Sequence, residues 1–180
     1  MPDSKPNRDD DELVRDAQRE LPYVTSAYTE LMKRYEQPLI RYCRRNLGDA
    51  SEAEDAWQDV MLSVFHHLPS FESRSSFKTW LFRVAHNQCL TRHRRSARER
   101  VVLDEYAVSV ELDRVGSEES RPDPQHLLNQ LGEEDRTILL LRYETGLSLQ
   151  EIADTLGIGL SATKMRLYRA AERMAKLAKE

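Results

Sequence analysis

Cationic and aromatic side chains are the residues of this chain best suited to chemistry, and they concentrate in two places. Residues 92–100 contain five Arg, and residues 160–180 contain six Lys or Arg against two Glu. Such clusters bind the phosphates of nucleic acids, and aromatic rings can stack on bases. Because the whole chain has a formal net charge of −4, the positive charge is local. The distribution predicts two nucleic-acid contacts, with a solvated basic helix face as the plainer alternative.

Other kinds of chemistry have little support in the sequence. The five His form no HExxH motif, no pair of acids suggests a hydrolase, and no glycine-rich phosphate loop is present. His86, Cys89 and His93 have a helical spacing that suits zinc, but a fourth ligand is missing. We therefore expect no enzyme activity, no cofactor and no metal. Cys43 and Cys89 are predicted to be reduced thiols in the core.

The composition indicates a soluble helical protein of 180 residues. Hydrophobic residues make up 39% and charged residues 32%, which argues against a membrane protein and against a fully disordered chain. The acidic N-terminus is unlike a signal peptide, and no apolar run approaches the roughly 20 residues that span a bilayer. A cytoplasmic protein without membrane insertion is expected. Apolar residues recur at three- and four-residue spacing, which predicts an all-α fold.

Breaks in this spacing divide the chain into four segments. Residues 1–23 form an acidic lead that is expected to be partly disordered. Residues 24–96 carry three amphipathic helices and form a first domain. Residues 97–123 are rich in acids, Ser and Pro and predict a flexible linker. Residues 124–180 form a second, wholly helical domain. We expect the linker to keep the two domains from packing as one body.

Residues 148–161 have the pattern of a helix, a short turn and a second helix. Ser148 and Glu151 have the spacing of a capping box, and Gly157 suits the turn. The next helix has cations on one face and apolar residues on the other, which suits the major groove of DNA. These cations are Lys164, Arg166, Arg169, Arg173 and Lys176. The pattern predicts a DNA-binding helix-turn-helix.

Three motifs occur in a specific order: EAEDAWQDV at 52–60 with a later Phe65, FKTWLFRVAHN at 77–87, and a helix-turn-helix that ends in TKMRLYRA at 163–170. In this order they resemble the extracytoplasmic-function (ECF, group IV) sigma factors, the promoter-recognition subunits of bacterial RNA polymerase. The resemblance covers about residues 24–95 and 124–177. It implies a sigma region 2 helical bundle and a sigma region 4 helix-turn-helix, joined by a flexible linker.

The resemblance implies two contacts with core RNA polymerase. The helix of residues 52–60 would bind the clamp helices of the β′ subunit, and the second domain would contact the β flap. In such a contact opposite charges steer the encounter, while apolar anchors hold the complex. Core packing is the alternative for Ala53, Trp57 and Val64. The implied clamp-binding residues are Glu54, Asp55, Gln58, Asp59, Val60, Met61 and Phe65.

The resemblance also implies that residues 71–76 and the helix after them capture a flipped base at the −10 promoter element. Unstacking a base costs a few kcal/mol, which aromatic faces and cations along the displaced strand can offset. Core packing is the alternative for Phe77 and Trp80, and residues 92–95 would grip phosphates. The implied −10 residues are Phe71, Arg74, Phe77, Lys78, Trp80, Arg83, Asn87, Arg92, Arg94 and Arg95.

The recognition helix of the second domain is implied to read the −35 promoter element. Arg169 is the first choice for a guanine contact, because Arg to guanine is the commonest specific pairing. Ser161, Thr163 and Arg166 lie near the helix start and could bind phosphates. The implied −35 residues are Ser161, Thr163, Lys164, Met165, Arg166, Tyr168, Arg169 and Arg173.

The implied function is that of an alternative sigma factor. Such a protein binds core RNA polymerase, directs it to promoter DNA and helps to open the duplex, and an anti-sigma factor often restrains it. The alternative from another class is a stand-alone helix-turn-helix activator or repressor. That protein would need a sensing or dimerisation domain, and the first 95 residues have no heptad seam and no ligand-binding sheet.

Overall fold

The structure, a computed structural model, describes residues 8–104 and 124–179. Within these ranges the chain is helical and contains no strand, so the all-α prediction is confirmed. A 3₁₀ turn at Leu68–Ser70 follows the third helix, and a π-helical turn at Leu140–Glu144 follows the sixth. The helices are α1 (Asp10–Glu20), α2 (Ser26–Leu47), α3 (Ala50–His67), α4 (Phe77–Asp104), α5 (Pro124–Gln130), α6 (Glu133–Leu139), α7 (Leu149–Leu156) and α8 (Leu160–Leu177).

The boundary between α2 and α3 follows from two residues. Gly48 ends α2 with a φ of 76°, in the left-handed region that favours glycine. The side chain of Asp49 then accepts a hydrogen bond from the backbone N–H of Glu52 at 2.9 Å and caps α3. The chain therefore reverses sharply, and α3 packs back along α2.

The acidic lead was predicted to be partly disordered, and for residues 10–20 this prediction is wrong. The side chain of Asp9 caps α1, and Leu13, Val14 and Ala17 are buried against the bundle. The acids on the other face are paired, as in the contact of Arg34 with Asp10 at 2.8 Å. A short apolar stripe is therefore enough to fix a helix whose overall composition is polar.

Helices α2, α3 and α4 form a bundle around a shared apolar core. Leu31, Tyr42, Val64 and Leu81 are among its fully buried residues. Cys43 and Cys89 are free thiols and are also buried in this core, as the sequence predicted. Helix α4 continues to Asp104, past the predicted domain end at residue 96, so residues 97–104 are helical where a linker was expected. Residues 105–123, the rest of the predicted linker, lie outside the described residues.

The two predicted domains pack against each other, which corrects the expectation that they would not form one body. The side chain of buried Asn46 donates a hydrogen bond to Thr137 Oγ1 at 3.2 Å. The backbone carbonyl of Asn46 accepts a hydrogen bond from Arg136 at 2.8 Å. Arg41 and Arg45 contact the carboxylate of Glu144 at 2.6 and 2.7 Å. Buried apolar residues of both halves belong to one continuous core. Sequence spacing carries no information on such long-range pairs.

The burial of α1 predicts a large effect of Leu13→Ala. This substitution should lower the free energy of unfolding by about 2–5 kcal/mol, because it removes buried apolar surface and leaves a cavity. Leu62→Ala is the matched control, since Leu62 is 59% exposed, and it should change stability by less than about 0.5 kcal/mol. Urea denaturation followed by circular dichroism measures both. Equal effects of the two substitutions would mean that α1 is not part of the core.

Candidate nucleic-acid and partner interfaces

The helix-turn-helix has the local geometry that the sequence predicts. Ser148 and Glu151 form the reciprocal capping box, with the backbone N–H of Ser148 donating to Glu151 at 2.9 Å and that of Glu151 donating to Ser148 Oγ at 3.2 Å. Gly157 ends α7 with a φ of 65°. Helices α7 and α8 then pack together, and α8 takes the position of a recognition helix.

One face of α8 is open to solvent and carries most of the predicted −35 residues. Met165 and Tyr168 are 53% and 69% exposed, and their exposed neighbours are Ser161, Lys164 and Arg169. Side chains at positions i, i+3, i+4 and i+7 share a helix face. The face therefore offers two cations, an aromatic ring and a thioether to a groove. Their contacts with DNA stay a prediction.

Three predicted −35 residues have partners within the protein. Thr163 is fully buried, and its hydroxyl donates to the backbone carbonyl of Gly159 at 3.1 Å, so it does not fit a phosphate contact. Arg173 is paired with the carboxylate of Asp135 on α6. Arg166 lies 3.4 Å from Glu134. The cations on this side of α8 thus help to hold it on α6.

The outer face of α3, defined as Glu54, Asp55, Gln58 and Leu62, is exposed. Leu62 was not among the predicted residues, although it follows Gln58 by four positions and so continues the same stripe. Val60 was predicted as an apolar contact for polymerase, but it is fully buried in the bundle, so this prediction is wrong. Leu62 is therefore the exposed apolar residue of this acidic face.

The other predicted apolar residues of α3 lie at the edge of the core. Phe65 is half-buried and meets the ring of Tyr28 edge-on at 5.5 Å. The Tyr28 hydroxyl donates to the backbone carbonyl of Met61 at 2.8 Å, and burial raises the pKa of this phenol to about 12. Met61 and Trp57 line a cleft of about 220 Å³ between α2 and α3. Contacts of Tyr28 with Met61 and Phe65 therefore hold α2 against α3 next to the outer face of α3.

Arg92 was predicted to grip DNA phosphates, but the structure gives it a different place. Its guanidinium donates to Glu52 at 2.8 Å and to Asp59 at 2.5 Å, and it lies 3.9 Å from Asp55. Only 16% of its side chain is exposed. Arg92 therefore ties α4 to α3. Arg92 also neutralises part of the acidic charge that was predicted to face polymerase, because Asp59, one of the predicted contact residues, is its hydrogen-bond partner.

Four predicted −10 residues line one surface cavity of about 300 Å³, which we call the α4 cavity. They are Phe71, Arg74, Trp80 and Arg83. The rings of Phe71 and Trp80 lie 4.8 Å apart between centroids, within the range of ring stacking. Aromatic walls with two guanidinium groups suit an unpaired base and its phosphates. These residues lie within 71–83, and the loop before α4 and the first turns of α4 bring them together.

Phe77 does not belong to this surface. It is 2% exposed and packs against Tyr35 at a ring-centroid distance of 5.6 Å, so the prediction of a DNA contact is wrong and the alternative of core packing applies.

The preceding loop has an unusual backbone, because Ser73 has a φ of 54°. A non-glycine residue in this region costs about 1–2 kcal/mol.

A line of polar residues continues from the α4 cavity along α4. Arg83, Asn87 and Arg94 recur at helical spacing from Trp80, and Asn87 and Arg94 are exposed, as is neighbouring Arg95. The distance from residue 80 to residue 94 is roughly 21 Å at about 1.5 Å per residue. The line is therefore long enough to follow several nucleotides of one strand.

The second domain covers the beginning of this line. Thr79 Oγ1 and Ser76 Oγ donate to Glu151 at 2.9 and 3.3 Å, and Arg83 donates to the backbone carbonyl of Asp154. Lys78 lies beside Gly146. Partial burial alone would raise the pKa of Glu151, but hydrogen bonds from Ser148, Thr79 and Ser76 outweigh it and lower that pKa. In this arrangement α7 covers the first turns of α4, where the sequence predicts part of the −10 contact.

The second domain also has an apolar groove of about 390 Å³. It lies between α5, the π-helical turn after α6 and the end of α8, and Tyr143 at its edge is 71% exposed. Its lining includes Leu127, Leu128, Leu140, Ala171 and Met174. The groove has the shape and polarity that an amphipathic helix would fit.

Neither a membrane span nor a metal site is seen in the part of the chain that the structure describes. No helix there is long and apolar enough to cross a bilayer. No group of three His, Cys, Asp or Glu side chains is placed to hold a metal ion among residues 8–104 and 124–179.

The contacts of Arg92 predict a structural effect of its removal. Arg92→Ala should lower the free energy of unfolding by about 1–3 kcal/mol, because three carboxylates lose a half-buried partner that bridges two helices. Arg94→Ala is the matched control on the same helix and should change stability by less than about 0.5 kcal/mol, since Arg94 is exposed. Thermal and urea unfolding measure both. An unchanged stability of Arg92→Ala would contradict the tie between α3 and α4.

Comparison with known proteins agrees with this geometry. Residues 31–99 match the Sigma-70 region 2 family, and residues 125–174 match the Sigma-70 region 4 family. The chain is 31% identical to the ECF RNA polymerase sigma factor SigM of Mycobacterium tuberculosis, over 84% of this chain and 76% of that protein. It is 29% identical to the ECF RNA polymerase sigma factor SigW of Bacillus subtilis, over 83% and 88%.

Two solved structures share the arrangement of the helices. The sigma factor RpoE of Bartonella quintana, in complex with the anti-sigma factor NepR, superposes with a TM-score of 0.70 at 27% identity and covers 87% of this chain and 98% of its own. CnrH, in complex with the cytosolic domain of CnrY, gives a TM-score of 0.71 at 23% identity, over 94% and 97%. The helix-turn-helix, the α4 cavity and these relatives lead to one conclusion: the chain belongs to the ECF family of RNA polymerase sigma factors.

Proposed function

We propose that this sigma factor opens promoters by holding an unpaired −10 base in the α4 cavity while α8 reads the −35 element. The observation that carries this proposal is the α4 cavity itself, where Phe71 and Trp80 stack beside Arg74 and Arg83. Such walls stabilise a base outside the duplex and the strand that carries it. The protein needs no catalysis of its own for this role. It acts in the cytoplasm, where core polymerase carries out the synthesis.

The strand leaves the α4 cavity along α4 in this proposal. Asn87 offers a polar amide that can read a base edge, and Arg94 and Arg95 offer charge to phosphates. Arg92 and Phe77 have no part in this surface, because one is tied to carboxylates and the other is buried. The −10 contact surface is thus narrower than the sequence alone suggested.

Core polymerase is bound by the outer face of α3 in the same proposal. Glu54, Asp55 and Gln58 supply charge and polarity that complement a basic clamp surface, and Leu62 supplies the apolar anchor. Anchors of this kind contribute most of the affinity, while surrounding charges set the rate and specificity of encounter. The apolar groove of the second domain is the proposed contact for the β flap.

The packing of α7 on α4 also bears on regulation. While Glu151 holds Thr79 and Asp154 holds Arg83, the part of the proposed −10 surface around Arg83 is covered. We propose that an anti-sigma factor stabilises this closed arrangement. Support comes from the likeness to the RpoE structure, which contains the anti-sigma factor NepR. Core polymerase would have to separate the two domains before promoter DNA binds.

Run-off transcription tests the proposed function. A library of genomic promoter fragments is transcribed by bacterial core polymerase alone and with the added protein. Discrete new transcripts are expected only with the protein. Leu62→Ala should raise the protein concentration needed for half-maximal transcription by about tenfold, in the range of a lost interface anchor. Val24→Ala is the control, since Val24 is an exposed apolar residue away from α3.

Two outcomes would contradict this function. Identical transcripts with and without the protein would rule out a role in initiation. Direct repression or activation in the absence of a complex with core polymerase would instead favour a stand-alone helix-turn-helix regulator.

Arg169→Ala and Arg94→Ala are expected to affect promoter binding in different ways. Arg169→Ala should relax the preference at one −35 position and cost about 1–3 kcal/mol at the preferred base. Arg94→Ala should weaken all promoters alike and reduce the salt slope of binding by about one, because it removes one phosphate contact. Competition binding of the holoenzyme to promoter variants measures both. Equal losses for every −35 variant would show that Arg169 does not read a base.

A further inference from the structure

The side chain of Gln18 connects α1 to the wall of the α4 cavity. Its amide Nε2 donates to the backbone carbonyl of Phe71 at 2.7 Å and to that of Leu68 at 3.1 Å. The residue is half-buried and lies fifty or more positions away from both partners in the chain. A single side chain thus holds both ends of the turn that leads into the cavity.

This turn determines where the ring of Phe71 lies. The backbone N–H of Phe71 donates to the carbonyl of Leu68 at 3.1 Å, and the side chain of Leu68 is fully buried beneath it. Phe71 then stacks on Trp80. With the carbonyl of Phe71 also fixed by Gln18, a displacement of the Phe71 backbone away from Trp80 would break two hydrogen bonds.

The chain on the other side of Phe71 gives much weaker support. Glu72, Ser73 and Arg74 are exposed, and Ser73 has the left-handed backbone already noted. The ion pair of Arg74 with Glu72 is 85% and 64% exposed, and pairs of this kind contribute about 0–1 kcal/mol. The backbone of Phe71 is therefore held mainly by the turn that precedes it, while its ring also packs against Phe77 and Trp80.

Helix α1 is a firm base for this support. Leu13 and Ala17 are fully buried next to Gln18. On the polar side, Arg8 contacts Asp16 at 3.0 Å and also pairs with Glu30 of α2. The side chain of Gln18 therefore starts from a fixed backbone, so its hydrogen bonds can hold the turn before Phe71 in place.

We propose that Gln18 is a positioning residue for base capture at the −10 element and that α1 is part of the promoter-opening apparatus. The inference rests on the proposed function of the α4 cavity. Gln18 does not touch the base. It keeps Phe71 against Trp80, so that the cavity is formed before the base arrives and no binding free energy is lost in ordering it.

The test compares three chains in the holoenzyme. Gln18→Glu keeps the size of the side chain but removes the amide donor and places a carboxylate against two carbonyl oxygens. Gln37→Glu makes the same chemical change at an exposed position of α2 and is the matched control. Phe71→Ala removes the cavity wall itself. Urea unfolding of each protein shows how much of any effect comes from stability.

The readout is an abasic scan of single-stranded DNA. The probe is the non-template −10 strand of a promoter found by run-off transcription, with one base removed at a time. For the wild-type holoenzyme, one abasic position should weaken binding much more than the others. Gln18→Glu should reduce this penalty by roughly threefold to tenfold, the loss expected from one or two supporting hydrogen bonds. Phe71→Ala should reduce it at the same position, and Gln37→Glu should leave it unchanged.

The outcomes separate this inference from the function on which it rests. A full penalty retained by Gln18→Glu, or an equal loss of affinity for intact and abasic strands, would show that Gln18 does not position the cavity. No position-specific penalty in the wild type would instead refute base capture by the α4 cavity.

Discussion

The first turn of α4 is the constraint on which the rest of this structure depends. Ser76 caps the helix by accepting a hydrogen bond from the backbone N–H of Thr79 at 3.1 Å. Consecutive side chains of a helix point about 100° apart, so this turn faces three directions at once. Phe77 enters the core, Thr79 meets Glu151 of α7, and Trp80 forms the wall of the α4 cavity. Folding, the packing of the two domains and the proposed strand capture therefore depend on the same turn.

In the proposed function, α7 and the −10 strand compete for this end of α4. Thr79 donates to the carboxylate of Glu151, and Arg83 donates to the backbone carbonyl of Asp154, so Arg83 is not available to a phosphate while α7 is packed here. Glu144 repeats the pattern at the other end of the contact, where it accepts from Arg41 and Arg45. Glu144 of the second domain thus occupies two cations of the first, whereas Lys164 and Arg169 of α8 are exposed.

The sequence predicted helix positions well and side-chain directions less well. Gly48, Ser148 and Gly157 act through local backbone geometry, so their roles could be inferred from a few neighbours. Val60, Phe77 and Thr163 lie inside motifs that carry function, but a motif does not specify which member faces inward. The partners of Arg92 and Arg173 come from other helices, and no spacing rule could have found them. Helix α1 was missed because its acidic face hides a stripe of only three buried residues.

The closed arrangement combines partly exposed ion pairs with buried contacts. The arginines that hold Glu144 are 44–49% exposed, but the Glu144 side chain is only 11% exposed, so these pairs lie between surface ion pairs, which contribute about 0–1 kcal/mol each, and buried ones. The buried contacts of Asn46 with Thr137 and Arg136, at about 0.5–1.5 kcal/mol per hydrogen bond, and the shared apolar core contribute the rest. Salt should therefore loosen the domains only partly, because its effect is confined to the exposed pairs. In the proposed function, polymerase binds α3 and the groove of the second domain at separate points. Contacts that only the open form makes then offset the stability of the closed form, because a ligand shifts an equilibrium by its differential affinity for the two states.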